Sequence, residues 1–351
     1  MKKIFTYVVP ALVLFSIGCS DGKKNEENKT VAEADSTTSE IQHIGSIEFI
    51  DPAFETLVDK GAGMELLAEG FEWSEGPVWV EEGNYLLFSD IPPNSIYKWS
   101  EEDSLSLYLK PSGYTGQSER KGEPGSNGLL ITPSGALLLC QHGDRRIALM
   151  DAPLYNPAPN YSTLIDNYEG KRLNSPNDAV YHPNGDLFFT DPPYGLEGNV
   201  DDPAKEIPFQ GVYRLDTEGQ IHLQTDTLTR PNGIAFSPDG KILYVANSDG
   251  PKAWYSAFDL DEKGNAVNGR IFFDATSLMG KEKGAPDGMV VDSKGNVWAT
   301  GPGGVIVFNA EGKVIGKLKT GQATANCTLD TGEKYLYITA DMYLLRLKLK
   351  G

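Results

Sequence analysis

Oxygen-bearing side chains recur at one fixed place along this chain. Glu75, Asn127, Asn177, Asn232 and Asp287 each stand eight residues before a glycine (Gly83, Gly135, Gly185, Gly240, Gly295), and Thr324 stands eight before Gly332. Two carboxylates and three amides, with no cysteine or histidine among them, form a hard-oxygen set. That set suits Ca2+ first, Mg2+ or Mn2+ next, and zinc least. Asn and Asp at strand starts also close local turns. Glu75 is not a turn former of that kind, however, and six positions at one phase favour convergence on a shared ligand.

A second series stands seven residues after each glycine: Asp90, His142, Pro192, Asn247, Pro302 and Thr339. It is expected to form an outer ring around the first. His142, within CQHGDRR (140–146), is the one of four histidines at that depth. It fits two roles, a catalytic proton shuttle or a hydrogen-bonded residue fixing the rim. Arg145 and Arg146 follow it and could anchor an anionic group. Serine-hydrolase elbows, H-E-x-x-H and phosphate-binding loops are absent from the sequence.

The elements that must position these residues are short strands. Six nine-residue units align: EGPVWVEEG (75–83), NGLLITPSG (127–135), NDAVYHPNG (177–185), NGIAFSPDG (232–240), DGMVVDSKG (287–295) and TANCTLDTG (324–332). Each is followed by a second strand (YLLFSD, ALLLCQ, DLFFTD, ILYVAN, NVWATG, YLYITA) and then a third. Runs of this length between Gly, Asn, Asp and Pro turns mark an all-β chain. A repeat of about 50 residues with three or four strands is a propeller blade, so the fold expected is a six-bladed β-propeller. In that fold the first residue of each unit rings one mouth of the central channel. The third blade carries an insertion, 193–210, between its second and third strands. The last unit leaves room for only three strands, so MELLAEGF (64–71) is expected to supply the outer strand that closes blade six. Cys140 and Cys327 fall in strands of blades two and six and read as buried thiols.

Composition sets limits on function. The formal charge is −18, from 31 basic and 49 acidic residues, which argues against nucleic acid as a partner. Lys2 and Lys3 precede an apolar run from Ile4 to Ile17, then Gly18 and Cys19. That run is too short to span a bilayer and reads as an export signal. Residues 1–18 are expected to be a lipoprotein signal peptide, with Cys19 lipidated, and the mature protein to sit in the cell envelope, or to be secreted if Cys19 is not acylated. Residues 19–46 are polar and charged and read as a flexible tether in which His43 has no role. The propeller should occupy 47–351, as a monomer touching a membrane only through its lipid.

The chain resembles the regucalcin–gluconolactonase family of six-bladed propeller hydrolases, in its bacterial gluconolactonase branch. The carriers are DPAFETLV (51–58), FEWSEGPVW (71–79), SNGLLITPSGALLLCQHGDRR (126–146), KRLNSPNDAVYHPNGDLFFTDPPYGL (171–196), RPNGIAFSPDGKILYVANS (230–248) and PDGMVVDSKGNVWATG (286–301). The resemblance implies one divalent cation, Ca2+ before Mg2+, Mn2+ or Zn2+, held by Glu75, Asn177, Asn232 and Asp287. All four already belong to the inner ring. Animal regucalcins hold substrate with an Arg-x-Asn pair in the third blade; here Ser175 stands where that arginine would be, and Arg172 is the candidate to replace it.

The function expected is hydrolysis of a cyclic ester, an aldonolactone such as gluconolactone. The cation would polarise the carbonyl, and Asp287 would act as general base or direct nucleophile. Asn127, Arg172 and, in the insertion, Tyr194 are the expected substrate contacts, with His142 as a second catalytic candidate. Two alternatives stay open. One is a phosphotriesterase or arylesterase of paraoxonase type; the other is a non-catalytic Ca2+-binding propeller on a lipid anchor.

Overall fold

Each repeat unit folds as an antiparallel sheet because its second strand is apolar on both sides. Tyr85–Asp90, Leu137–Gln141, Leu187–Asp191 and Val297–Gly301 are buried at every position. A strand can bury both faces only when sheets cover it on both sides. Outer strands differ: Ser104–Leu109 is exposed over its first four residues. Such units pack face to face, and six of them close a ring.

The computed structural model describes residues 41–351. Their sheets form the six blades expected, with innermost strands Ser74–Val80, Ser126–Ile131, Ala179–Tyr181, Pro231–Phe236, Met289–Val291 and Asn326–Leu329. Each innermost strand packs against the next around the axis, and the sixth returns to the first. The insertion 193–210 lies between Leu187–Asp191 and Gly211–Leu215, the second and third strands of blade three. At four of the repeat glycines the backbone is left-handed, for example φ 97° at Gly185. In blades one and six that conformation falls one residue later, on Asn84 and Glu333.

The ring closes as the short last repeat demands. Met64–Glu69 pairs antiparallel with Tyr343–Lys348 as the fourth strand of blade six. The chain start contributes more than this. His43–Ile44 adds a fifth strand outside Met64–Glu69, and Ser46–Phe49 adds a fifth strand to blade five, against Val314–Lys319. The tether boundary expected at residue 46 is therefore too late, and His43 is a strand residue. The cause is visible in the spacing of Ile44, Ile47 and Phe49, which pack on the cluster shared by blades five and six. Phe54, fully buried, sits over Gly316, where a Cβ would lie 2.3 Å from its ring. The expected signal peptide 1–18, the expected lipidation site Cys19 and the expected tether residues 19–40 lie outside the described residues.

Cys140 and Cys327 are buried free thiols, and burial pushes both upward in pKa.

Candidate active site

The inner ring assembles because glycine follows Glu75, Asn127, Asn232 and Asp287, and alanine follows Thr324. A Cβ on Gly76 would lie 2.0 Å from the Asn127 carbonyl, and one on Gly233 would lie 2.3 Å from the Asp287 carbonyl. Only glycine allows adjacent strands to approach so closely at the axis. Hydroxyls on second strands then tie each blade to the next at ring depth. Ser89 Oγ donates to the Asn127 carbonyl (2.9 Å), Thr190 Oγ1 to that of Asn232 (2.8 Å), and Thr300 Oγ1 to that of Ala325 (2.8 Å).

As a result, Glu75, Asn127, Asn177, Asn232, Asp287 and Thr324 all line one pocket of about 320 Å3. Glu75, Asn127, Asn177, Asn232 and Thr324 are buried. Gly76 N–H donates to Glu75 Oε2 at 2.9 Å. Burial, the largest influence, pushes the Glu75 carboxyl up to about 8, with the Asp178 charge acting in the same direction. Burial and then the neighbouring Glu75 push Asp287 well above the usual carboxylate range. Asn127 Oδ1 and Asp287 Oδ1 are shielded from solvent and have no hydrogen-bond partner among the described residues. Orphaned acceptors and crowded carboxylates in one place lack positive charge and donors. A hard divalent cation supplies the charge and takes oxygen lone pairs, so these residues fit one.

Tyr194 lines the same pocket, as expected for the insertion. His142 and Arg172 do not. His142 is fully buried behind the wall, its Nδ1 3.0 Å from Glu123 Oε2 but off the line of a good hydrogen bond. It meets the pocket only through Glu123, which does line it. Arg172 is exposed on a small hairpin, donating Nη2 to the Asp144 carbonyl at 2.7 Å, and faces a different cavity. The outer ring as a whole misses the pocket, because its carboxylates and amides hold backbone instead. Asp90 Oδ1 accepts from Trp73 N–H (2.9 Å), and Asn247 Oδ1 accepts from Arg230 N–H (2.8 Å). These bonds fix the lead-in to the innermost strand two residues before Glu75 and Asn232.

Among the pocket residues that escaped the sequence reading, four bear polar or aromatic side chains: Trp73, Glu123, Arg230 and Ser248. Trp73 and Arg230 stand two residues before their ring members, the position examined in blade three as Ser175. The Arg230 guanidinium lies 5.9 Å from the centre of the Tyr194 ring, and Tyr194 Oη donates to the Ser248 carbonyl at 3.4 Å. Asp178 was also missed. It takes the place that glycine holds after Glu75, Asn127, Asn232 and Asp287, and its buried carboxyl rises to about 7, chiefly through burial. NDAVYHPNG against NGLLITPSG carries that signal in the sequence.

The pocket belongs to a recognisable group of proteins. A model of the SMP-30/Gluconolactonase/LRE-like region matches residues 73–341. A gluconolactonase of Zymomonas mobilis is 38% identical over 323 residues, covering 88% of this chain and 87% of that one. Regucalcin of Bos taurus is 27% identical, covering 78% and 85%. Among solved structures, a gluconolactonase of Xanthomonas campestris superimposes with a TM-score of 0.74 at 30% identity, covering 88% of this chain and 97% of that one.

Proposed function

Since the chain belongs to the SMP-30/gluconolactonase/LRE-like family, we propose that it is a lactonase, a carboxylic ester hydrolase, that opens a sugar lactone in this pocket with the help of a divalent cation. The observation that carries the cation is the pair of partnerless oxygens, Asn127 Oδ1 and Asp287 Oδ1, beside the buried Glu75 carboxyl. Glu75, Asn177, Asn232 and Asp287 would hold the ion, with Asn127 beside them. Regucalcin relatives point to a divalent ion, and the oxygen-only donor set favours Ca2+. Bound there, the ion supplies Lewis-acid polarisation of an ester carbonyl and counter-charge for the oxyanion.

The protein's own groups do the rest. Asp287 Oδ1, free of any hydrogen bond, accepts a proton from the attacking water. Asp287 then returns that proton to the ring oxygen as the C–O bond breaks, leaving a hydroxy acid. Arg230, Glu123, Asn127 and Tyr194 offer donors and acceptors suited to a polyhydroxylated ring, and Trp73 offers a flat apolar wall against its C–H face. A few placed polar groups in a pocket of this size suit one sugar-sized ligand. This lining supports an aldonolactone such as gluconolactone as substrate.

The decisive assay follows hydrolysis of a panel of aldonolactones, aryl esters and phosphotriesters. It uses metal-free protein first, then protein with Ca2+, Mg2+, Mn2+ or Zn2+ restored. Turnover of aldonolactones that depends on added ion is the expected result. Full activity in chelator refutes the metal role, and preferential phosphotriester turnover refutes the lactone assignment. The proposal extends to the N-terminus: Lys2, Lys3 and the run 4–17 support export and acylation of Cys19. Mass spectrometry of the mature N-terminal peptide should find a lipid on that cysteine.

A further inference from the structure

The chain has eight arginines. Four are ion-paired: Arg146 with Asp144, Arg214 with Asp186, Arg270 with Asp259, and Arg346 with Glu65 and Glu101. Arg230 lies over Tyr194 in the mouth. The remaining three, Arg120, Arg145 and Arg172, line a separate cavity of about 540 Å3, and none pairs with a carboxylate of the described residues. In a protein with 49 acidic residues, three unpaired guanidiniums in one place call for an explanation.

Their hydrogens go to backbone carbonyls, and not all of them are used. Arg145 Nε donates to the Leu173 and Asn174 carbonyls (2.8 and 3.0 Å), and its Nη1 to that of Ala204 (2.9 Å). Arg120 donates to the carbonyls of Gly143 (2.8 Å) and Gly195. Arg145 Nη2 and Arg120 Nε have no partner. Arg145 is only 4% exposed, so that nitrogen is a buried donor on a cation left unanswered. Buried cationic donors of this kind are found where an anion is to be met. The backbone agrees. Arg145 holds φ 57°, as does Asn94 in the matching turn of blade one, a conformation that favours Asn over Arg.

Two carboxylates line the same cavity, and both are occupied by loop backbone. Asp202 accepts from Gly198 N–H and Ala204 N–H (2.7 and 2.8 Å), and Glu197 accepts from Lys121 N–H (3.2 Å). We propose that this cavity is a second binding site, for a small tetrahedral oxyanion of the phosphate or sulfate class, held by Arg120, Arg145 and Arg172. Three guanidiniums with free donors on two of them match a dianion with several acceptor oxygens better than a carboxylate. The site does not depend on the reaction assigned to the mouth.

Sulfate is a convenient probe, because it remains a dianion across the working range. Calorimetric titration of metal-loaded protein, with chloride holding ionic strength constant, should find one saturable sulfate per chain. Acetate should bind at least tenfold more weakly. Arg172→Gln should melt at the wild-type temperature without sulfate, because Arg172 is exposed, and should weaken sulfate binding about tenfold. Arg145→Gln should abolish it; because this residue also ties blade two to the lead-in of blade three, the Arg172 variant decides if Arg145→Gln does not fold. Absence of saturable binding, equal affinity for acetate, or unchanged affinity in Arg172→Gln overturns the assignment.

Discussion

Chelating the proposed cation should reverse the way this protein's stability responds to pH. Without an ion, Glu75 titrates near 8 instead of its ordinary 4.5, and Asp178 near 7 instead of 3.8. Asp287 is shifted in the same direction. Folded protein then binds more protons than unfolded protein throughout the interval between those values. Stability therefore falls as pH rises through it. Each full unit of that interval corresponds to about 1.36 kcal/mol per group, less as the folded carboxyl itself starts to ionise, so Glu75 alone removes about 2 kcal/mol between about pH 6 and pH 8. For a domain of this size that is a drop of ~4 °C in melting temperature. Thermal melts in chelator at a series of pH values test this, with parallel melts in Ca2+. Calcium should remove the decline, because an ion in place of protons compensates the carboxylates at the higher pH. A melting temperature in chelator that stays level or climbs from about pH 6 to pH 8 would falsify the reasoning. It would mean that the ring carboxylates are already compensated by the protein.

Other outcomes follow from single contacts. Asp287→Asn should fold and regain metal when excess ion is supplied, since occupancy follows mass action, yet turn over about 10²–10⁴-fold more slowly; near wild-type rates at saturating Ca2+ would leave the aspartate a ligand only. Arg230→Ala should raise KM for an aldonolactone about tenfold with a smaller change in kcat, and steady-state kinetics showing KM untouched would remove Arg230 from substrate binding. Asp186→Ala strands the buried Arg214 guanidinium, 3.1 Å away, and should cost about 3 kcal/mol in urea unfolding; a loss under about 1 kcal/mol would show that the Lys263 carbonyl suffices as its partner. Removing residues 41–49 strips a strand from each of two blades but no ring residue, so the melting temperature should fall while kcat/KM holds; the opposite pattern would place this segment at the mouth.

The inner ring was readable because one offset, eight residues before a turn glycine, repeats with the blades, and a propeller turns sequence phase into depth along its axis. All six residues so located line the pocket. The same logic failed one strand further out. Asp90, His142 and Asn247 share a phase, but their side chains turn back toward their own blade's backbone or into the wall, which an offset cannot distinguish. Glu123 was invisible for a different reason. It stands in the irregular stretch between Leu109 and Ser126, where no strand carries the repeat forward. Arg172 was a plausible stand-in for the arginine missing at Ser175, yet the hairpin Asn167–Arg172 carries it to another cavity. Arg230, two residues before its ring member in blade four, reaches the pocket from an equivalent position to the vacated one.

The seam that closes blade six also orders the events of folding. Met64–Glu69 joins blade six only through Tyr343–Lys348, and near the far end Lys350 N–H donates to the Leu57 carbonyl at 2.9 Å. These contacts span nearly the whole chain, so their loop-closure entropy is met only once the last strand has emerged. During synthesis, blades one to five can form locally, while Met64–Glu69 waits as an open edge. The ring, and the pocket at its axis, can be complete only after the C-terminal strand is released. A chain cut short within residues 343–348 would therefore lose more than one strand: it would leave two unpaired edges and a propeller unable to close.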